Sequence, residues 1–101
     1  MTAPAIGDTV RHEGTDYIVR GVRQVLVDGR VETDVLVDGD VAVLWRAQLP
    51  TIGKPIAFRG THPLVVKQRA AGPGRHLVTL QGEVWLSTGG AVHQVQEQAH
   101  D

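Results

Sequence analysis

The chain has 101 residues, of which 42% are hydrophobic and 21% charged, and its formal net charge is −1. This composition excludes a disordered chain, and no apolar run approaches the ~18 residues that a membrane helix needs. The near-neutral charge disfavours a dedicated nucleic-acid binder, and the absence of Cys excludes disulfides, thiolate metal sites and a cysteine nucleophile.

The length predicts a single compact domain over residues 1–101, with a polar, fraying tail over 96–101. Residues 1–7 do not combine a basic segment with an apolar one, so we expect no signal peptide and a cytoplasmic protein.

Short Val-rich segments alternate with glycine turns at a spacing near ten residues, which predicts an all-β fold. Asp28-Gly29 is the strongest turn signal, because both central residues of a type I′ turn need positive φ. It joins a strand over 17–27 to one over 30–37, and further turns are predicted at Asp38-Gly39 and Gln81-Gly82. The remaining turn signals are Glu13-Gly14, Ala71-Gly72-Pro73-Gly74 and Gly89-Gly90.

Alternation is clearest after Asp28-Gly29. One face carries Val31, Thr33, Val35 and Val37, and the other carries Glu32 and Asp34. A period of two is typical of a half-buried strand, and Asp40–Trp45 repeats it. The whole pattern predicts eight or nine short antiparallel strands and no long helix.

Residues 6–19 resemble residues 52–65 at an offset of 46 positions. The coinciding pairs are Ile6/Ile52, Gly7/Gly53, Val10/Ile56, Gly14/Gly60, Thr15/Thr61, Ile18/Leu64 and Val19/Val65. With three residues removed, 38–41 falls on 81–84. This predicts two pseudo-repeated halves, 6–50 and 52–95, which share a core because each is too small to bury one alone. Chance similarity between short glycine hairpins is the alternative.

The segment Ile6-Gly7-Asp8-Thr9-Val10 and the following Gly14-Thr15-Asp16-Tyr17-Ile18-Val19 resemble the opening of SH3-like small β-barrels, a group that includes Tudor and KOW domains. With Gly82–Leu86, the chain is similar to an uncharacterised bacterial family with two such halves in tandem. The resemblance implies a fold and no catalytic residue. The chain departs from KOW modules because acidic Glu13 and Asp16 flank Gly14, and Pro63 stands where the first copy has Tyr17.

Two aromatic residues and three arginines are the candidate binding residues. In SH3-like barrels an aromatic side chain between loops is the usual ligand contact, which favours Tyr17 and Trp45. Trp45 and Trp85 are alternatively core residues. Arg11, Arg20 and Arg23 fall on neighbouring predicted strands, where they could form a basic stripe for an anionic partner. The alternative is a solvated face on which acidic residues pair with them.

No catalytic or cofactor-binding constellation emerges. His62, His76 and His93 lack metal-site spacing, and Ser87 lacks the Gly-x-Ser-x-Gly elbow of a hydrolase. We therefore expect no enzyme activity, no cofactor and no metal.

The sequence favours a non-catalytic module that binds a protein or peptide through a sheet edge or an inter-loop groove. Self-association is an expected possibility because a small Val-rich sheet has edges to cover. A nucleic-acid-binding barrel that uses Arg11, Arg20, Arg23 and Tyr17 is the alternative. A metal-dependent enzyme built on the three histidines is a weaker one.

Overall fold

The computed structural model describes residues 4–46 and 48–88, and the backbone of residues 92–94. Seven strands lie in these residues: β1 (Thr9–His12), β2 (Thr15–Ile18), β3 (Gly21–Val27), β4 (Arg30–Arg46), β5 (Leu64–Gly72), β6 (Arg75–Ser87) and β7 (Val92–Gln94). One sheet has the order β2-β1-β7 and the other has the order β3-β4-β6-β5.

The all-β prediction is confirmed. The β1–β2, β1–β7, β3–β4 and β5–β6 pairs are all antiparallel. The described residues contain no helix. Consequently, no described segment forms an apolar helix long enough to cross a membrane.

Two-residue turns join the strands of three hairpins. Asp28 and Gly29 have φ of 51° and 77°, as the predicted type I′ turn between β3 and β4 requires. Glu13 and Gly14, with φ of 53° and 82°, make the same kind of turn between β1 and β2. Pro73-Gly74 connects β5 to β6.

The turns predicted at Asp38-Gly39 and Gln81-Gly82 are wrong, because β4 and β6 run straight through them. Gly39 and Gly82 have φ of 141° and 126°, a backbone conformation that bends a strand without reversing it. The buried Val37 and Val41 lie on either side of Gly39 in the same strand, so a reversal there would displace residues that the fold buries. Loss of these two turns is why the described residues form seven strands rather than eight or nine.

One set of backbone hydrogen bonds recurs at an offset of 46 residues. The amides of Gly7 and Gly53 donate to the carbonyls of Val19 and Val65, at 2.9 and 2.7 Å. The reverse bonds run from Val19 to Asp8 and from Val65 to Lys54, and the turn-closing bonds run from Asp8 to Ala5 and from Lys54 to Thr51. The Arg59-Gly60 turn, with φ of 52° and 96°, likewise matches Glu13-Gly14.

Two compact units divide the chain. The first comprises residues 1–37 and 85–101, and the second comprises residues 38–84. Their boundaries fall inside β4 and β6, and therefore differ from the predicted halves 6–50 and 52–95. The prediction of a single domain over residues 1–101 stays a prediction, and the tail at 96–101 and the Gly89-Gly90 turn lie outside the described residues.

Each unit buries its own apolar residues. The first unit buries Val10, Tyr17, Val19, Val35, Val37 and Leu86. The second unit buries Val41, Val65, Val78, Leu80 and Val84. The β-branched residues that predicted the strands thus supply most of both cores.

Candidate functional site

β3 lies at one end of the four-stranded sheet, with β4 on one side. Among the described residues, no strand pairs with its other side. Its seven residues pair with β4 in an unbroken register from Gly21↔Leu36 to Val27↔Arg30. A regular, bulge-free strand at the end of a sheet presents a row of backbone N–H and C=O groups that can accept a further strand.

One face of β3 is partly exposed, although Val35, which stands opposite its Val22 on β4, is fully buried. Val22, Gln24 and Leu26 are its exposed side chains, and the residues between them are half-buried. Leu26 is 73% exposed and stands in register with Val31 of β4, which is 65% exposed. Single exposed apolar residues are common, but an adjacent pair beside an unpaired strand edge is typical of an interaction surface.

Charged and aromatic side chains pack on the other face of the same strands. Arg23 donates from Nε and Nη2 to Oδ2 of the fully buried Asp34, both at 3.2 Å. The Arg23 guanidinium lies 4.2 Å from the centroid of the Trp85 ring. Gly21 lies beside the same ring: a Cβ there would be in ordinary contact with Trp85 Cη2, at 3.6 Å, and in a tighter contact with Leu36 Cβ, at 3.3 Å. This cluster fixes β3 on β4 and neutralises the one charge that β3 carries.

The opposite end of the sheet is built differently. The register of β5 with β6 shifts between Val65 and Lys67 and again between Ala70 and Gly72. Lys67 and Arg69 are exposed, lie on one face of β5, and form no ion pair with any described residue. Irregular pairing and exposed cations are the features that protect a sheet edge from adding a strand. β3 is therefore the better acceptor of the two.

Two of the three arginines of the predicted stripe, Arg11 and Arg23, form ion pairs with carboxylates, and the three lie on different strands or between them. Arg11 donates from Nε to Oδ1 of Asp16 at 2.8 Å, and both side chains are about half exposed. That hydrogen bond is the main cause of a lowered pKa of Asp16 and of a raised pKa of Arg11. Arg20 is exposed between β2 and β3, and Arg23 lies in the cluster with Asp34.

The two aromatic candidates differ in burial and lie in different units. Tyr17 is only 6% exposed and belongs to the core of the first unit, and its role as a binding residue stays a prediction. Within β2, Tyr17 is the one buried residue, whereas Thr15, Asp16 and Ile18 are exposed. Trp45 is half-buried in the second unit, and its Nε1 donates to the carbonyl of Gln48 at 2.8 Å.

An open groove of about 530 Å³ lies in the second unit. Its walls are Pro55, the segment 60–64 and the segment 81–83. Gly82 and Pro63 are neighbours in this wall, since a Cβ at Gly82 would lie in ordinary contact with the Pro63 Cα, at 3.6 Å. None of the lining residues is aromatic, so this groove lacks the contact that the SH3-like resemblance leads us to expect.

The histidines remain dispersed in the described part of the chain. His62 lines the groove, and His76 lies on β6 with a buried Nδ1 that has no hydrogen-bond partner among the described residues. The side chain of His93 lies outside the described residues. No group of three or more His, Asp or Glu side chains suited to a metal ion occurs in 4–46 and 48–88.

Sequence reasoning missed Leu26, Val31 and the role of Asp34. A two-residue turn at Asp28-Gly29 fixes the register of the hairpin, so it also predicts that Arg23 faces Asp34 and that Leu26 faces Val31. The signal was present in the turn itself. The packing of Trp85 on the same face has no comparable local signal, because it joins strands distant in sequence.

Comparisons with protein-family models, with curated proteins and with solved structures find no match to this chain.

Proposed function

We propose that the chain is a non-catalytic interaction module that binds an extended segment of a protein or peptide as an added strand on β3. The observation that carries the proposal is the regular edge of β3 beside the exposed pair Leu26 and Val31. Backbone hydrogen bonds to the edge would supply affinity, and the apolar pair would select side chains at alternate positions of the partner.

The energetics of β3 support this use. The neutralised Arg23 leaves the strand without an uncompensated charge that a partner must desolvate. Covering Leu26 and Val31 removes apolar surface from water, at roughly 25 cal/mol per Å² before the cost of ordering the partner is counted. The groove near Pro63 offers less, since its walls contain no aromatic anchor.

The recurring hydrogen bonds support a further part of the proposal. We propose that the two stretches 6–19 and 52–65 are copies of one SH3-like motif, with matched turns at Gly7 and Gly53. The substitution of Pro63 for Tyr17 gives the copies different surroundings. They therefore offer different surfaces rather than two equal binding sites.

A second candidate is the binding of an anionic partner, and the exposed cations of β5 favour it. Lys67 and Arg69 form no ion pair with any described residue, whereas Arg11 and Arg23 are held by Asp16 and Asp34. Binding of this kind weakens steeply as salt rises. A salt-titrated assay with single-stranded nucleic acid that detects no binding at low salt would remove this candidate.

The β3 proposal is tested with extended peptides selected from a random display library on the intact chain. We expect the selected peptides to bind at least tenfold more weakly to Leu26→Lys, a loss of about 1.4 kcal/mol. Ile52→Lys is the matched control, because Ile52 is an exposed apolar residue of the second unit. Equal weakening by both variants, or binding that neither affects, would overturn the proposal.

A further inference from the structure

We infer that the strand added to β3 is β3 of a second copy of this chain, paired antiparallel about a two-fold axis through Gln24. The inference rests on the proposed use of the β3 edge and names its occupant. A two-fold contact uses the same surface patch on both copies, so this patch must be complementary to itself. The sequence of β3, from Gly21 to Val27, meets this demand.

On the exposed face, the register centred on Gln24 places apolar residues opposite apolar residues. Val22 of one copy stands opposite Leu26 of the other, and the intramolecular pair Leu26↔Val31 extends this into an apolar row across the joint. Between the two apolar rows, the two Gln24 side chains meet with Thr33 behind each of them. Exposed apolar surface is thereby covered by its own counterpart, and the amides at the centre can hydrogen-bond across the axis.

On the other face, the same register keeps like charges apart. Arg23 of one copy stands opposite Val25 of the other, and Val25 is in register with Glu32. Each Arg23 therefore joins a row that ends in a carboxylate of the second copy. No like charges stand directly opposite each other in this row, so the register contains no repulsive contact on this face.

Neighbouring registers that keep the faces aligned are worse. A shift of two residues in one direction places Arg23 opposite Arg23, which is repulsive. A shift of two in the other direction places Leu26 opposite Gln24 and Val22 opposite Asp28, so both apolar matches are lost. Shifts by one residue exchange the two faces. A second copy has no comparable arrangement on β5, because Lys67 and Arg69 there would repel an approaching β5.

The experiment uses the cysteine-free chain with one cysteine added by Gln24→Cys. Directly opposed residues of an antiparallel pair lie within the Cα separation that a disulfide spans. We expect Gln24→Cys to oxidise to a disulfide-linked dimer at least tenfold faster than Leu44→Cys, an exposed control residue of the second unit. Crosslinking of Gln24→Cys no faster than that of Leu44→Cys overturns the inference.

A charge pair tests the register without a covalent bond. Gln24→Lys and Gln24→Glu each place like charges at the axis, so each should raise the dimer dissociation constant at least tenfold in sedimentation. Mixing the two variants should restore the dimer. A wild-type chain that stays monomeric up to about 1 mM overturns the inference. If selected peptides still bind β3 in that case, the proposed function survives; if they do not, both proposals fail.

Discussion

Arg23 and Asp34 face each other across β3 and β4, and both Nε and Nη2 of the arginine donate to the same carboxylate oxygen, Oδ2. Asp34 is fully buried, whereas the Arg23 side chain is one-third exposed. Arg23→Gln should therefore lower the free energy of unfolding by about 3 kcal/mol, because it removes the cation that donates to the buried Oδ2 of Asp34. Urea denaturation measures the change.

The control for this prediction is Arg30→Gln, since Arg30 also pairs with a carboxylate but is exposed. Its pair with Glu32 should contribute less than about 1 kcal/mol, as exposed ion pairs do. Equal losses in the two variants would mean that the burial of Asp34 does not set the cost.

The turn between β1 and β2 holds a residue that suits it poorly. Glu13 has a φ of 53°, in the left-handed region that Asn tolerates better than Glu. Glu13→Asn creates the Asn-Gly pair that type I′ turns prefer, and should raise the free energy of unfolding by roughly 0.5–1 kcal/mol. Glu13→Ala is the control in the same urea series. A stability gain from Ala equal to that from Asn would contradict the explanation by φ.

The matched turns at Gly7 and Gly53 should respond alike to the same substitution. Their φ values are 97° and 90°, and a Cβ at either position would meet no atom within 4 Å. Alanine at each should therefore cost about 1–2 kcal/mol through backbone strain alone. Ile6→Ala and Ile52→Ala are exposed controls in the same turns, measured by thermal or urea unfolding. If Ala is tolerated at one glycine and costly at the other, the two turns are not equivalent.

The Arg11–Asp16 pair makes a prediction about pH. The hydrogen bond from Arg11 lowers the pKa of Asp16, so the pair stabilises the fold above the ordinary carboxyl range. That contribution is lost as the pH falls through the folded-state pKa. Arg11→Gln should raise the pKa of Asp16 towards its ordinary value in a carboxyl NMR titration. An unchanged midpoint would show that the hydrogen bond does not persist in solution.

The hairpin around Asp28-Gly29 shows how far the sequence determines the structure. A two-residue turn and the alternating valines after it suffice to predict the β3–β4 hairpin and its register. The bounds predicted for its strands are wrong, because the segment 17–27 is divided between β2 and β3, and β4 continues past residue 37 to Arg46. The same Asp-Gly dipeptide at 38–39 does not turn the chain, because Val37 and Val41 must both stay in buried positions of one continuous strand. Burial of that kind depends on residues distant in sequence, which a local dipeptide cannot indicate.

Some contacts of the candidate site likewise follow from the local sequence, and others depend on strands that are distant in sequence. The partner of Arg23 follows from the hairpin register, but its contact with Trp85 depends on where β6 lies in the sheet. For Tyr17, the resemblance to SH3-like openings favours a surface role, whereas its ring is buried in the core of the first unit. Which of the two sheet ends stays regular depends on the bulges of β5, which have no clear sequence signature.

The most direct measurement of the central claim is residue-resolved amide hydrogen exchange with and without a selected extended peptide. Strand addition predicts that alternate amides of β3, between Gly21 and Val27, gain protection when the peptide binds, while those of β5 do not. Protection that appears instead on β5, or along the groove at Pro63 and Gly82, would contradict the assignment of β3 as the binding edge.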